Sequence, residues 1–123
     1  MFEVTVSGRF TARHQIRLAD GALEPEHQHE WHVQLTYGGA TLDSRGILVD
    51  FTTIRAWLAR LLATFENRKL NDLPAFARRN PTAENVAIFL AEALPGDLPG
   101  FARLKAIEVE EEPGCVARYF PPG

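Results

Sequence analysis

The sequence predicts an α+β fold in which a four-stranded antiparallel sheet carries two helices on one face. Three observations predict it. Residues 2–18 and 27–37, and the shorter runs 102–111 and 115–120, alternate in the two-residue period of half-buried strands. Residues 50–65 and 82–94 instead repeat apolar side chains at the period of an amphipathic helix. The resulting order, ββααββ, places a pair of strands at each end of the chain and two consecutive helices between them.

In the first strand Phe2, Val4, Val6, Gly8, Phe10, Ala12, His14, Ile16 and Leu18 share the apolar face. Glu3, Thr5, Ser7, Arg9, Thr11, Arg13, Gln15 and Arg17 share the polar one. Asp20-Gly21 marks the connection. The second strand runs from about His27 to Tyr37 and closes at Gly38-Gly39, with His27, His29, Trp31, Val33 and Leu35 on one face and His32 on the other. Gly46 to Phe51 feeds a helix for which Asp50 or Thr52 is the expected N-cap. Ile54, Trp57, Leu58, Leu61, Leu62 and Phe65 form its apolar stripe.

Residues 66–80 are polar and contain proline, hence a loop. Thr82 after Pro81 is the expected N-cap of a second helix to about Leu94, burying Val86, Phe89, Leu90 and Ala93. Pro95-Gly96 and Pro99-Gly100 bracket the next loop. A strand from Ala102 to Glu111 then places Ile107, Val109 and Glu111 on one face, and Pro113-Gly114 turns the chain into a last strand from Cys115 to Phe120.

Composition narrows the function classes. A chain of 123 residues suits one domain spanning 1–123. A net charge of −3 with no basic block argues against nucleic acid as a partner. No apolar run could span a membrane, and the chain enters an alternating strand at once, without an apolar signal-peptide core. One cysteine, Cys115, leaves no internal disulfide and fits a reducing compartment. A cytoplasmic location is the expectation.

Two features carry chemistry. His14, His27 and His29 lie on the apolar parity of two adjacent strands, within reach of one tetrahedral centre. Neutral imidazole is a good ligand for borderline-soft Zn²⁺, although histidines on a sheet also serve as hydrogen-bonded core or solvated residues. Glu111 continues the apolar parity of Ile107 and Val109, where a carboxylate needs a cation or several donors.

Six motifs in order, Phe10-Thr11-Ala12-Arg13-His14, His27-Gln28-His29, Gly46-Ile47-Leu48-Val49-Asp50-Phe51, Leu70-Asn71, Pro81-Thr82-Ala83-Glu84-Asn85 and Val109-Glu110-Glu111-Glu112-Pro113, span nearly the whole chain. Together they resemble the 6-pyruvoyltetrahydropterin synthase family, which includes the 6-carboxytetrahydropterin synthases of queuosine synthesis. The resemblance implies the tunnelling fold and assembly side by side into a barrel, commonly a hexamer of two trimers. It implies a catalytic zinc on His14, His27 and His29, with a coordination position open for substrate. Gln28 stands where the family has glycine, and its side chain points away from the metal face. Glu111 matches the glutamate that accepts two hydrogen bonds from the pterin amino group and the adjacent ring N–H. Glu112 stands where threonine is usual.

The chain departs from the family at its proton-transfer residues. The position of the catalytic cysteine is Leu23, and those of the Asp-His dyad are Glu66 and Asn67. Leucine takes no proton and an amide has no useful basicity near neutral pH. Cys115 lies in the last hairpin, and as a lone cysteine in a strand it fits packing. Glu24 and Glu26 lie beside Leu23, and either a one-residue shift lets one of them act as base or both belong to a solvated acidic loop. The expectation is a zinc-dependent enzyme acting on a dihydroneopterin-type pterin. A related aldolase-type cleavage of the pterin side chain, or a pterin- and metal-binding protein without turnover, stands as the alternative.

Overall fold

The computed structural model describes residues 1–123. Its strands are β1 (Phe2–His14), β2 (His27–Gly39), β3 (Arg68–Lys69), β4 (Asp97–Leu98), β5 (Ala102–Glu112) and β6 (Cys115–Tyr119), and its helices are α1 (Phe51–Ala63) and α2 (Ala83–Ala93). The long strands pair antiparallel in the order β1-β2-β5-β6. Two short strands extend this sheet: β3 runs parallel to Ala12–Arg13, and β4 pairs with the start of β5.

The expected α+β architecture is thus present, with four main strands, two added pieces and both helices on one face. The alternation of β1 and β2 survives folding unbroken, because one register, Phe2↔Gly39 to His14↔His27, holds along their whole length. It sends Val6, Phe10, Ala12 and His14 of β1 and Trp31, Val33, Leu35 and Tyr37 of β2 into the core. The helices meet them with Ile54, Leu58 and Leu62 of α1 and Val86, Ala87 and Leu90 of α2. Gly8 lets α1 approach, since a Cβ there would stand 2.9 Å from Leu62 Cδ1 and 3.0 Å from Leu58 Cδ2.

β5 does not keep one parity. Leu104 and Ile107 are both buried, because a bulge opposite Thr36–Tyr37 inserts Lys105 and exchanges the two faces. A second irregularity lies between Glu110 and Glu112, which pair with Val116 and Cys115, so Glu111 faces no partner on β6.

Both helix caps fall where the side chains predict: Asp50 accepts from Thr52 N–H and Thr82 from Asn85 N–H. The structure differs from the expected strand 2–18, because β1 ends at His14. Beyond it the backbone is paired with side chains and with the returning turn at Ala22–Glu24 instead of a long strand. The Asn71 amide accepts from Gln15 N–H at 2.9 Å and donates to Gln15 O at 2.8 Å. Asn80 does the same to Arg17, at 2.7 and 2.9 Å. Residues 66–80 are likewise not featureless, holding β3 and two 3₁₀ turns at Leu70–Asp72 and Pro74–Phe76. These turns carry Leu70 and Phe76 into the core and present Asn71 to the chain after His14.

Candidate metal centre

The β1–β2 register pairs His14 with His27 and Ala12 with His29, so the imidazoles gather at one end of the helix-bearing face. Ring centroids of His14 and His29 are 5.3 Å apart. Trp31 closes the site from the core side, edge-on to His14 at 4.9 Å and to His29 at 6.1 Å. That indole is fully buried, is stacked on Phe10, and donates its N–H to Ala12 O at 3.2 Å. An apolar wall of this kind keeps water off one side of the site and strengthens electrostatic contacts within it.

His14 is the only buried polar or charged residue. Its Nδ1 lies 2.8 Å from the carbonyl oxygen of Pro81. A carbonyl can only accept, so Nδ1 is the donor, and in the neutral ring the lone pair for a ligand role is on Nε2. This hydrogen bond also sets the ring orientation, as the outer-shell partner of a metal-bound histidine does. Nε2 faces Glu111, whose Oε1 is 3.6 Å away.

Ligand atoms of His14, His29 and Glu111 all lie within 4.8 Å of one another. Zinc bonds of 2.0–2.1 Å place tetrahedral ligands about 3.3 Å apart, so this donor set fits a divalent cation after small side-chain movements. Glu111 enters the set from the irregular end of β5, where it is free of a cross-strand partner on β6. His27 stands beside the cluster. Its exposed ring is stacked on His29 with centroids 5.8 Å apart and planes 16° from parallel. His32 projects from the opposite face and is exposed.

Glu111 also borders a cleft of about 380 Å³, together with Glu84, Cys115 and Ala117. The Cys115 thiol is held protonated there. Its hydrogen bond to Glu112 pushes the pKa up first, followed by desolvation and the Glu112, Glu111 and Glu110 charges. A thiol so placed is a poor nucleophile. Glu112 Oε2 lies 3.8 Å from His29 Nδ1.

The acidic residues near Leu23 have separate surroundings. Glu24 is half-buried and accepts from Ile16 N–H through Oε1 at 3.1 Å, while its own N–H donates to Ile16 O at 3.0 Å. Glu26 sits between Arg13 at 3.5 Å and Lys69 at 3.3 Å, and Arg13 belongs to the polar face. Leu23 itself is exposed and bridges to Arg17. Glu66 accepts from Thr11 N–H at 3.1 Å, and Asn67, at φ 58°, donates to Thr11 O at 2.7 Å. Those two positions close the edge of β1 here.

Sequence reasoning did not single out the supporting residues Asn71, Asn80 and Pro81. Asn71 and Pro81 were present only as members of the motifs Leu70-Asn71 and Pro81-Thr82 and Asn80 gave no signal, since nothing local marks an asparagine that pairs with backbone more than 50 residues away.

A family model described as 6-pyruvoyl tetrahydropterin synthase matches residues 3–122. The dihydroneopterin monophosphate aldolase of Pyrococcus furiosus is 26% identical over 102 residues, covering 83% of this chain and 82% of that protein. Among solved structures, Caenorhabditis elegans 6-pyruvoyl tetrahydropterin synthase superposes with a TM-score of 0.83 at 21% identity, covering 98% of this chain and 96% of the other. A Plasmodium vivax 6-pyruvoyltetrahydropterin synthase, in which a glutamate described as a catalytic residue is replaced by alanine, gives 0.82 at 16% identity, covering 99% and 98%.

Proposed function

The chain belongs to the 6-pyruvoyl tetrahydropterin synthase family, and from that premise we propose that it is a zinc-dependent enzyme acting on a dihydroneopterin-type pterin. The observation that carries this reading is the convergence of His14 and His29 on Glu111, which also lines a cleft. His14, His27 and His29 would hold the metal and Glu111 would accept hydrogen bonds from the pterin ring, as the family motifs imply. Zinc at this place supplies Lewis acidity toward the side-chain oxygens of the substrate.

Proton transfer is assigned to Glu24 or Glu26. Of the two, Glu24 uses one carboxylate oxygen on Ile16, which leaves the other for a proton. The Plasmodium vivax protein, with a glutamate described as a catalytic residue, supports a carboxylate in this role. The Pyrococcus furiosus relative supports aldolase-type cleavage of the pterin side chain as the alternative reaction.

One observation favours a second reading, a binding protein without turnover. Both candidate bases are engaged, Glu24 with backbone and Glu26 with two cations. We also propose a homo-oligomer, a hexamer of two trimers in the cytoplasm. The outer edge of β1 is covered only over Thr11–Arg13, and an unpaired strand edge invites a neighbouring chain. No helix is long and apolar enough to cross a membrane.

The deciding experiment incubates metal-analysed protein with dihydroneopterin, its monophosphate and its triphosphate, and follows products by mass. Formation of a side-chain-altered pterin supports the enzyme. Pterin binding without product supports the second reading, and absence of any pterin binding removes both.

A further inference from the structure

We infer that Asn71 is a positioning residue for the proposed base: it holds the backbone after β1 so that one oxygen of the Glu24 carboxylate is fixed and the other is left free. The inference rests on the reading of Glu24 as the proton acceptor and deepens it.

Residues 15–17 follow β1 without a continuous strand beside them, and their backbone groups still need partners. Two carboxamides supply these on one edge. Asn71 Oδ1 accepts from Gln15 N–H at 2.9 Å, and its Nδ2 donates to Gln15 O at 2.8 Å. Asn80 pairs in the same way with Arg17, at 2.7 and 2.9 Å. A carboxamide can do this because it presents a donor and an acceptor in one plane, as a peptide group does. Ile16, between the two, turns its backbone groups to the other edge, and both meet Glu24. Its N–H donates to Glu24 Oε1 at 3.1 Å, and its carbonyl accepts from Glu24 N–H at 3.0 Å. The Gln15 side chain adds a third hold, donating through Nε2 to Glu24 O at 3.2 Å, while its Oε1 accepts from Lys69 Nζ at 2.6 Å.

Glu24 is thus held at its N–H, its carbonyl and one carboxylate oxygen, and every hold comes from residue 15 or 16. Pro25 restricts the Glu24 backbone to extended conformations, so the direction of the carboxylate depends on the Ile16 contact. The outer clamp is itself anchored. Asn71 is carried on the turn Leu70–Asp72, whose Leu70 is fully buried, and it reaches Gln15 from 56 residues away. Removing its amide frees both backbone groups of Gln15, and with them the frame on which Glu24 rests. A general base works only within hydrogen-bond reach of the proton it takes, and a displacement of about 1 Å can cost about a hundredfold in rate.

The test is a double-substitution cycle on the zinc-loaded protein: wild type, Asn71→Ala, Glu24→Gln and the two together. Asn71 is used because Asn80 adjoins Pro81, whose carbonyl holds the His14 ring. The substrate is whichever of dihydroneopterin, its monophosphate and its triphosphate the wild type turns over. Asn71→Ala is expected to lower kcat about ten- to a hundredfold, with KM within about threefold of wild type. In the Glu24→Gln background the same substitution should change kcat by less than about threefold, because a residue acting through another adds nothing once that other is gone. A purely structural role would lower kcat equally in both backgrounds, and that result overturns the inference, as does wild-type kcat in Asn71→Ala. Amide exchange of the metal-free protein gives a readout without turnover. The Ile16 N–H, which Asn71 does not touch, should exchange about tenfold faster or more in Asn71→Ala, while Val33 and Leu35 of β2 keep their protection. Unchanged Ile16 exchange also overturns the inference. Should Asn71→Ala fail to fold, Asn71→Ser, which keeps a polar group on the turn, takes its place in the cycle. If Glu24→Gln alone turns over like wild type, or the wild type yields no product, the reading of Glu24 as base has failed and the inference falls with it.

Discussion

The Nδ1–H of His14 donates to the carbonyl oxygen of Pro81 across 2.8 Å, tying the last residue of β1 to the residue just before the cap of α2. The site is therefore held from two directions, by the sheet and by the helix start. Asn80 completes the tie through both backbone groups of Arg17, and its carbonyl accepts from the Asn85 side chain. Asn80→Ala should lower stability by about 0.5–1.5 kcal/mol, the net worth of solvent-accessible hydrogen bonds to the exposed backbone of Arg17. It should also weaken metal binding although Asn80 touches no ligand. Urea unfolding and chelator competition check the two effects, and a variant as stable as wild type would show that water replaces the amide.

Metal content should separate the histidines by face. His29→Ala should lose most of its bound zinc after dialysis, whereas His32→Ala, exposed on the opposite face, should keep it. Elemental analysis decides this directly.

Glu24→Gln should leave the fold intact, because an amide oxygen can still accept from Ile16 N–H. If Glu24 is the base, turnover falls by about 10²–10⁴ with pterin affinity kept. The matching loss in Glu26→Gln would move the role to Glu26. Equal turnover in both variants excludes both as the base.

Alkaline pH should destabilise the fold through Tyr37. Its hydroxyl is desolvated by burial, which raises the pKa from 10.0 to about 12, and it donates to Pro95 O at 2.8 Å. The folded pKa lies above the unfolded one, so this stability is complete below pH 10 and is lost as pH rises toward 12. Tyr37→Phe should flatten that part of the stability–pH curve. A slope unchanged by the substitution would place the alkaline limb elsewhere.

Light scattering at micromolar concentration should report an oligomer. A monomer would mean that the outer edge of β1 stays open in solution.

Much of the fold was legible because it depends on local periodicity. Asp50 and Thr82 cap where they do because their side chains reach an N–H two or three residues on. The faces of β1 and β2 followed from alternation, which fixed the parity of His14, His27, His29 and His32 before any pairing was known. The alternation of 15–18 misled only in part. That stretch makes one isolated bridge, Arg17 with Leu23, and its other partners include the amides of Asn71 and Asn80 and the carboxylate of Glu24, which no local rule anticipates.

By itself the sequence determined which side chains share a face, because a strand has a period of two and a helix one of 3.6 whatever they pack against. Only the tertiary structure decided which of those side chains meet. Parity does not say how far along a strand two residues stand from each other, where a bulge frees one residue, or which ring nitrogen a distant carbonyl occupies. Those are set by register, by the irregular end of β5 and by the approach of Pro81 from 67 residues away. For that reason the shared face of His14, His27 and His29 was visible in the chain, while the approach of Glu111 to His14 and His29 was decided by contacts between strands.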